Sequence, residues 1–311
     1  MRAITQHAFG APDVLEVADV AKPAPLPSEV LVRVHAASIN RVDTYVRSGA
    51  LPLLGEPPFI LGWDISGVVE EVVPGVTRFD IGDEVFGMPF FPRAGSAFAE
   101  YVAVPSRQLA RKPANLSHVE AASIPLAGLT ARQSLIDTAH ITEGDRVLIH
   151  AGAGGVGHFA IQIAKAAGAH VITTAGAAKH DFVKSLGADE VIDYHTTDCT
   201  GHLRDLDVVL DTVGGYGDAA IATLKPGGRF ITIVERTDLD LAHRVTAAGR
   251  RFAGVTVEPD YAGLERLAAL AADGALRPHI QQTFPLEEAA KAHELVESGR
   301  TVGKIVLTMS N

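Results

Sequence analysis

The sequence predicts an α/β fold in which a doubly wound parallel sheet is inserted into a β-rich domain. In the first third, the segment VLVRVHAAS (30–38) alternates valines with other residues, which is the period of a half-buried antiparallel strand. From about Val119 onward, apolar strands alternate with helical stretches, and their near-continuous apolar character is typical of a parallel sheet covered on both faces. We therefore expect a β-rich domain over residues 1–122, completed by 262–311, and an inserted domain over 123–261.

The inserted domain contains five predicted strands, each a short apolar run. They are VLIHA (147–151), VITTA (171–175), VIDY (191–194), VVLDTV (208–213) and FITIV (230–234). Two helical patterns, YAGLERLAALAADGAL and PLEEAAKAHELVESG, follow this domain and precede a last strand, GKIVLTM. The chain thereby returns to the first domain.

Composition and charge exclude several classes of protein. The 311 residues exceed a typical single core and suggest two domains. The net charge is −10, and no basic cluster is present of the kind that binds nucleic acid. Cys199 is the only cysteine, which excludes an internal disulfide and fits a reducing compartment. Because the sequence shows no signal-peptide pattern and no membrane-spanning apolar run, we expect a cytoplasmic protein that binds neither membrane nor nucleic acid.

A glycine-rich loop follows the first strand of the inserted domain. Gly152, Gly154 and Gly157 match G-x-G-x-x-G between a buried strand and a helix that ends at Gly168. In that setting the glycines permit a tight turn, approach of the backbone to a pyrophosphate and close helix–strand packing, and the helix N-terminus binds phosphate. The alternative is a glycine-rich turn without a ligand, but the complete strand–loop–helix–strand unit argues against it. The pattern predicts a Rossmann domain that binds a dinucleotide.

The end of the second strand indicates which dinucleotide is bound. An acidic residue about 20 positions after the loop would accept a hydrogen bond from the ribose 2′-hydroxyl of NAD and would repel a 2′-phosphate. Here the strand ends in TTAG (173–176), and Lys179 follows. Lys179 by itself is better interpreted as a solvated residue at a helix start. With the acid absent, we expect Thr174, Lys179 and Tyr194 to bind a 2′-phosphate, so that NADPH is preferred over NADH.

Four segments give the chain a resemblance to a known superfamily. They are SINRVDTYVRSG (38–49), PFILGWDISGVVEEVVPGV (58–76), PLAGLTARQSL (125–135) and AGAGGVG (151–157). Together they resemble the medium-chain dehydrogenase/reductases, and within them the zinc-independent quinone oxidoreductases, over nearly the whole chain. The resemblance implies a GroES-like first domain. It also implies reduction of a quinone or an α,β-unsaturated carbonyl by direct hydride transfer from NADPH.

The zinc-dependent alcohol dehydrogenases of the same superfamily differ from this chain at their metal ligands. They have a Cys where Asn40 stands, a His where Trp63 stands, and a four-cysteine lobe after the segment that matches GDEVFGM. The corresponding stretch here, PFFPRAGSAFAEYVAV (89–104), contains no cysteine. Because zinc needs three or four N, S or O ligands in a tetrahedral array, we expect no metal. Trp63 is interpreted either as a core residue or as a stacking wall for a planar acceptor.

One other group of residues has loosely ligand-like spacing. His195, Asp198, Cys199 and His202 lie within eight residues of one another. They fall in a polar loop after the third predicted strand, away from the expected cleft, and no supporting second shell is evident. We interpret them as a chance surface cluster rather than as a metal site.

The resemblance also implies roles for individual residues. Asn40 is expected near the nicotinamide ribose, and Tyr45 is a candidate donor to the acceptor oxygen on which negative charge develops. The alternative for Tyr45 is a packed aromatic with a hydrated hydroxyl. Asp43 and Asp64 are expected to hold loops through backbone N–H groups, and Asp211 to end the fourth strand at the cofactor cleft. The predicted contacts with NADPH are Asn40, Thr130, Gly152, Gly154, Gly155, Val156, Gly157, Thr174, Lys179, Tyr194, Thr212, Gly214 and Lys304.

The resemblance further implies a homodimer in which the parallel sheets of two subunits join edge to edge. The segment AGVTVEP (253–259), apolar and β-branched, is expected to be the exposed last strand of this sheet, and an unpaired edge is an aggregation hazard. A strand shielded by its own chain is the alternative. A different class of function also stays open, because the same fold can serve as an NADPH-binding sensor or structural protein with little turnover.

Overall fold

The computed structural model describes residues 1–309, except for the side chains of residues 199 and 200. Its strands, in chain order, are β1 (Arg2–Gln6), β2 (Glu16–Asp19), β3 (Glu29–Ile39), β4 (Phe59–Ile60), β5 (Asp64–Val72), β6 (Glu84–Gly87), β7 (Tyr101–Pro105), β8 (Leu109–Arg111), β9 (Arg146–Ile149), β10 (His170–Thr174), β11 (Glu190–Ile192), β12 (Leu206–Asp211), β13 (Leu224–Thr232), β14 (Arg251–Gly254), β15 (Ile280–Pro285) and β16 (Lys304–Thr308).

The α-helices of the described residues alternate with these strands. They are α1 (Arg41–Ser48), α2 (His118–Ala122), α3 (Pro125–Arg132), α4 (Gly157–Ala166), α5 (His180–Ser185), α6 (Cys199–His202), α7 (Gly217–Thr223), α8 (Leu239–Ala247), α9 (Tyr261–Ala272) and α10 (Ala289–Glu297). A π-helical segment, Gln133–Thr138, continues α3. Over residues 1–309, none of the helices has both the length and the apolar character that a bilayer crossing requires.

The chain divides into two compact units. The first comprises Met1–Leu129, Glu258–Gly274 and the residues from Pro278 onward, and the second comprises Thr130–Val257 with Ala275–Arg277. The sequence pattern predicted the boundary between the first and the inserted domain at 122/123, where strand-like segments give way to helical ones. In the structure the division falls inside α3, between Leu129 and Thr130.

The long strand β3 organises the first unit. It pairs antiparallel with β5, β7 and β16 in a seven-stranded sheet, and a separate three-stranded sheet has the order β2-β1-β4. The alternation in the sequence predicted a half-buried strand, but only Arg33 is exposed along β3. Helix α2 accounts for part of this burial, because its Ala122 packs with Ala36 and Val306 over the sheet.

Six parallel strands form the sheet of the second unit, in the order β11-β10-β9-β12-β13-β14. The first of these strands in the chain, β9, lies between β10 and β12, so the strand order reverses beside it. One face of the sheet is filled by apolar side chains such as Leu148, Val209 and Phe230, which pack with Leu241 and Val245 of α8. This order confirms the predicted doubly wound Rossmann sheet, whose ligands bind at the carboxyl ends of the strands beside the reversal.

The last strand of this sheet ends earlier than the sequence indicated. We predicted a strand over 253–259, whereas β14 spans Arg251–Gly254 and lies at the end of the strand order. Val255 still donates its N–H to the Thr232 carbonyl at 2.9 Å. A Cβ atom on Gly254 would lie 2.0 Å from the carbonyl oxygen of Arg236. The chain is therefore pressed against the segment that follows β13, and the regular ladder stops there.

Candidate functional site

The glycine loop of the second unit joins β9 to α4. A Cβ atom on Gly152 would lie 2.0 Å from the Thr173 hydroxyl oxygen, and one on Gly157 would lie 2.2 Å from the carbonyl oxygen of Ala151. Ala151 itself has a positive φ of 51°. The first and third glycines of the motif are thus required by packing of the loop on β10 and on itself.

Gly154 differs from the other two motif glycines. A Cβ atom there would meet only the Ala151 carbonyl oxygen, at 3.2 Å. Packing within the chain therefore demands glycine much less strongly here than at Gly152 and Gly157, whereas close approach of a phosphate to the backbone would demand it. Gly155 and Val156 complete the turn directly before the ten-residue helix α4. Because a helix N-terminus offers free N–H groups to phosphate, the residues present fit a dinucleotide.

Two threonine hydroxyls at the end of β10 hold the glycine loop. Thr173 donates its hydroxyl to the Ile149 carbonyl at 2.7 Å, and the Thr174 hydroxyl oxygen accepts from the Ala151 N–H at 3.0 Å. Both side chains are buried. The structure gives Thr174 this role in fixing the loop, and its contact with a 2′-phosphate stays a prediction.

The carboxyl end of β10 is bordered by residues that can bind an anion. A Cβ atom on Gly176 would lie about 4.0 Å from the Tyr194 hydroxyl and 3.5 Å from Nε2 of His195. The rings of Tyr194 and His195 lie 4.1 Å apart, and Lys179 ends a short 3-10 turn that follows Gly176. From the sequence, His195 was interpreted only as a member of the ligand-like surface cluster. Its position next to the predicted residue Tyr194 was the signal that could have placed it at this border.

The end of β12, beside the strand reversal, is tied to the end of β9. Thr212 donates its hydroxyl to the His150 carbonyl at 2.8 Å. Asp211 is buried and accepts from the N–H groups of Val213, at 3.0 Å, and Gly214, at 2.9 Å. These contacts fix the turn that contains the predicted residues Thr212 and Gly214.

His150 was not singled out by the sequence, although it directly precedes the loop. Its ring stacks on Tyr216 at 3.9 Å, and its buried Nδ1 has no hydrogen-bond partner among the described residues. Burial lowers the pKa of His150 to about 4, against an opposing effect of Asp211. The imidazole is therefore neutral at physiological pH.

A buried polar cluster in the first unit surrounds Asn40. Its backbone N–H donates to Asp43 at 2.6 Å, which caps the start of α1. Its side-chain Nδ2 donates to Asp64 at 2.8 Å, and the other oxygen of Asp64 accepts from the Leu126 N–H at 2.7 Å. Asp43 and Asp64 thus hold backbone N–H groups, as the sequence predicted.

Lys304 belongs to this cluster, and its predicted contact with NADPH stays a prediction. Its side chain is 3% exposed, and its ammonium donates to the Asn40 side-chain oxygen and, at 3.1 Å, to the Ile39 carbonyl. Asp64 lies 3.7 Å from the same ammonium. The sequence gives no indication that this side chain is buried.

The ionisation of the cluster follows from its burial. Burial raises the pKa of Asp43 to about 8. Burial also raises the pKa of Asp64, to about 6, although the Lys304 ammonium and the Asn40 amide oppose the rise. Burial lowers the pKa of Lys304, and Asp64 and Asp43 oppose that change. At pH 7 the carboxyl of Asp43 therefore holds a proton, whereas that of Asp64 is ionised beside Lys304.

Tyr45 and Thr130 differ in accessibility. Tyr45 lies on α1, is 43% exposed, and accepts a hydrogen bond from Arg41 Nε at 3.2 Å. That bond uses an acceptor lone pair of the hydroxyl and leaves its O–H available as a donor. Thr130, in α3, is 5% exposed.

Trp63 is a core residue. Its indole N–H donates to the Arg93 carbonyl at 2.6 Å, its ring meets that of Phe91 edge-on at 5.3 Å, and it is fully buried. Of the two interpretations left open by the sequence, the structure supports packing in the core.

Among the described residues, no three His, Cys, Asp or Glu side chains are grouped so that they could hold a metal ion. This includes His195, Asp198 and His202 of the ligand-like cluster. The side chain of Cys199, the fourth member, lies outside the described residues.

The chain matches two family models and many known proteins. The models are the alcohol dehydrogenase GroES-like domain, over residues 26–114, and zinc-binding dehydrogenase, over residues 186–307. The NAD(P)H oxidoreductase RTN4IP1, mitochondrial, of Mus musculus is 35% identical over 91% of this chain and 82% of its own length. The quinone oxidoreductase of Homo sapiens is 32% identical over 99% of this chain and 98% of its own.

Solved structures resemble the whole chain. The quinone oxidoreductase from Coxiella burnetii has a TM-score of 0.94 and 40% identity, covering 100% of this chain and 99% of that one. A structure described as an NAD-dependent alcohol dehydrogenase has a TM-score of 0.91 and 37% identity, covering 100% of both chains. The Escherichia coli quinone oxidoreductase complexed with NADPH has a TM-score of 0.89 and 29% identity, covering 99% and 100%. The chain belongs to the quinone oxidoreductase-like family of the medium-chain dehydrogenase/reductase superfamily.

Proposed function

We propose that the protein is an NADPH-dependent reductase of quinones or α,β-unsaturated carbonyls that works without zinc. The observation that carries the proposal is the end of β10, where Thr174, Gly176 and Lys179 stand in place of an acidic residue. Bound NADPH would supply the hydride, and the protein would supply binding, orientation and electrostatics.

The second unit supports binding of the nucleotide. The glycine loop would bind the pyrophosphate at the start of α4, where the Gly154 backbone has few neighbouring atoms of the chain beside it. Lys179 and Tyr194, at the border of β10, would bind the 2′-phosphate, where a carboxylate would repel it. A fluorescence titration with NADPH and NADH tests this preference. Equal affinities, or tighter binding of NADH, would remove the basis of the proposal.

Two positions of the first unit support a zinc-independent reaction. The Asn40 amide is engaged by Asp64 and by the Lys304 ammonium, and the Trp63 indole is engaged by a backbone carbonyl in the core. The Asn40 side-chain oxygen, the atom that could bind a metal, already accepts a hydrogen bond from Lys304. Elemental analysis of the purified protein tests this point, and stoichiometric zinc would contradict it.

Tyr45 is the candidate donor to the acceptor. A quinone or enone takes hydride at carbon, and the negative charge that spreads to oxygen is stabilised by a single hydrogen-bond donor. The exposed hydroxyl of Tyr45 accepts from Arg41 and retains its own hydrogen, which suits that role. Solvent supplies the proton that completes the quinol or the saturated carbonyl.

We also propose a homodimer joined through β14. This strand ends the order of the parallel sheet, and a symmetric partner would pair its free edge. Light scattering at micromolar concentration measures the mass, and a monomer would contradict the proposal.

A second candidate is oxidation of an alcohol with NAD, which the similarity to the structure described as an NAD-dependent alcohol dehydrogenase favours. Alcohol oxidation requires removal of the hydroxyl proton, which a metal usually assists. The engaged side chains of Asn40 and Trp63 argue against that assistance. A panel of primary and secondary alcohols with NAD and NADP separates the two candidates.

A further inference from the structure

The side-chain amide of Asn40 lies between a cation and an anion. Lys304 donates to its oxygen, and its nitrogen donates to Asp64 at 2.8 Å. All three residues are buried: Asn40 is 6% exposed, Lys304 is 3% exposed and Asp64 is 0% exposed. They come from the start of α1, the start of β16 and the start of β5, so three distant segments converge on one amide.

These two contacts determine the direction of the amide. If it were reversed, its NH₂ group would face the ammonium and its carbonyl oxygen would face the carboxylate, and both contacts would be repulsive. An amide has two N–H donors and two acceptor lone pairs. Asp64 uses one donor and Lys304 uses one lone pair, which leaves one N–H with a fixed orientation.

Asp64 cannot be replaced by an amide without loss of this arrangement. One of its oxygens accepts from Asn40 and the other from the Leu126 N–H at 2.7 Å. An asparagine at position 64 has a single oxygen and would satisfy only one of these donors. Both oxygens of a carboxylate are therefore used to hold Asn40 relative to the start of α3.

We propose that Lys304 and Asp64 are positioning residues that hold the Asn40 amide so that its remaining N–H donates to an oxygen of the bound substrates. This inference rests on the proposed reductase function and extends it to residues that do not themselves touch the reacting atoms. The oxygen belongs either to a ribose hydroxyl of the nucleotide or to the carbonyl of the acceptor, and the test separates these sources.

The main test compares Lys304→Met with the double variant Lys304→Met/Asp64→Asn. The single variant leaves Asp64 buried without its cation and should lower the melting temperature strongly. The double variant removes both charges and should recover the part of that loss that comes from the uncompensated carboxylate. If the pair only stabilises the fold, activity will recover with stability. Positioning predicts instead that kcat/KM remains at least about tenfold below the wild type, since small misplacements cost up to about 100-fold.

Lys112 provides the matched control. Its side chain is also nearly buried, at 5% exposure, and it pairs with Glu84 at 3.1 Å in the same unit. Lys112→Met should lower the melting temperature while kcat and the affinity for NADPH stay within about twofold of the wild type. In the double variant, weaker binding of NADPH by fluorescence titration would identify a ribose hydroxyl as the partner of Asn40. A lower kcat with unchanged affinity would identify the acceptor carbonyl.

A spectroscopic measurement tests the positioning without turnover. The chain has three asparagines, Asn40, Asn115 and Asn311, so selective ¹⁵N-asparagine labelling gives three side-chain NH₂ signals, and Asn40→Ser identifies that of Asn40. In the wild type this signal should exchange with solvent at least about tenfold more slowly than that of a free asparagine. It should shift and exchange faster in the double variant, while the Asn115 signal is unchanged. Fast exchange in the wild type would overturn the inference even if the double variant does not fold.

The two proposals fail in different ways. If the wild type reduces no quinone or enone, the reductase function is wrong, and the NMR and NADPH titrations still decide whether the amide is held. If the wild type is active and the double variant regains both kcat/KM and NADPH affinity as it regains stability, the positioning role is wrong and the reductase function stands.

Discussion

The glycine loop of the second unit and the Asn40 cluster of the first unit are built in opposite ways. The loop is one continuous segment. Its shape depends on glycines at positions where a Cβ atom would overlap with neighbouring atoms. The cluster joins residues 40, 64 and 304, and its geometry exists only once three strands and a helix have assembled. A local motif can therefore be recognised in a sequence, whereas a nonlocal cluster of charges requires the fold.

The largest expected effect is an opposite pH dependence of stability in the two units. Burial lowers the pKa of His150 to about 4, below the value of about 6.5 in an unfolded chain. Its contribution to stability is thus present above pH 6.5 and is lost as the pH falls toward 4. Burial raises the pKa of Asp43 to about 8, so its contribution is present below about pH 4 and is lost as the pH rises through 8.

Difference measurements isolate these two groups. The stability of His150→Phe relative to the wild type should increase as the pH falls from 6.5 to 4, because phenylalanine keeps the stack on Tyr216 and does not titrate. The stability of Asp43→Asn relative to the wild type should increase as the pH rises from 4 to 8. Each slope should approach about 1.4 kcal/mol per pH unit in denaturant titrations. A flat difference for either variant would contradict the burial argument for that unit.

The second prediction separates catalysis from nucleotide binding. Tyr45→Phe removes one hydrogen-bond donor and should raise the barrier by about two to four kcal/mol, while the affinity for NADPH stays nearly unchanged. Steady-state kinetics and a fluorescence titration measure the two quantities. Full turnover in this variant would show that Tyr45 is a packing residue and that another group acts on the acceptor.

The third prediction compares two glycines of the same loop. Gly157→Ala places a Cβ atom 2.2 Å from a backbone oxygen, so it should destabilise the protein by about 1–3 kcal/mol and also weaken NADPH binding. Gly154→Ala meets only one atom, at 3.2 Å, so the melting temperature should change little while NADPH binding weakens. If Gly154→Ala binds NADPH normally, the Gly154 backbone does not approach the phosphates.

Sequence reasoning succeeded where one segment determines its own geometry. The glycine motif, the parallel strands and the family resemblance all depend on local patterns, and the fold class followed from them. The surroundings of Lys304 were not predicted, because nothing near it in the sequence shows that Asp64 and Asn40 surround its ammonium. Trp63 was undecided for the same reason, since its partner is a carbonyl 30 residues away. His150 was missed because a histidine beside a glycine loop has no pattern of its own.

The smallest expected effect concerns the choice of nucleotide. Lys179→Ala should reduce the preference for NADPH over NADH by about one to two kcal/mol, the lower part of the range for hydrogen bonds to charged groups. Lys184→Ala, at an exposed position of the following helix, is the control and should leave the ratio of the two affinities unchanged. An unchanged ratio in Lys179→Ala would show that Lys179 does not bind the 2′-phosphate.

The most direct test of the account is the oxidation of NADPH by the wild-type protein, followed by the absorbance of the reduced cofactor, with a panel of quinones and simple enones and with chelator present. The account predicts turnover with at least one conjugated acceptor, a lower rate with NADH, and no loss of rate to the chelator. Oxidation of simple alcohols together with inactivity toward every quinone and enone would contradict it.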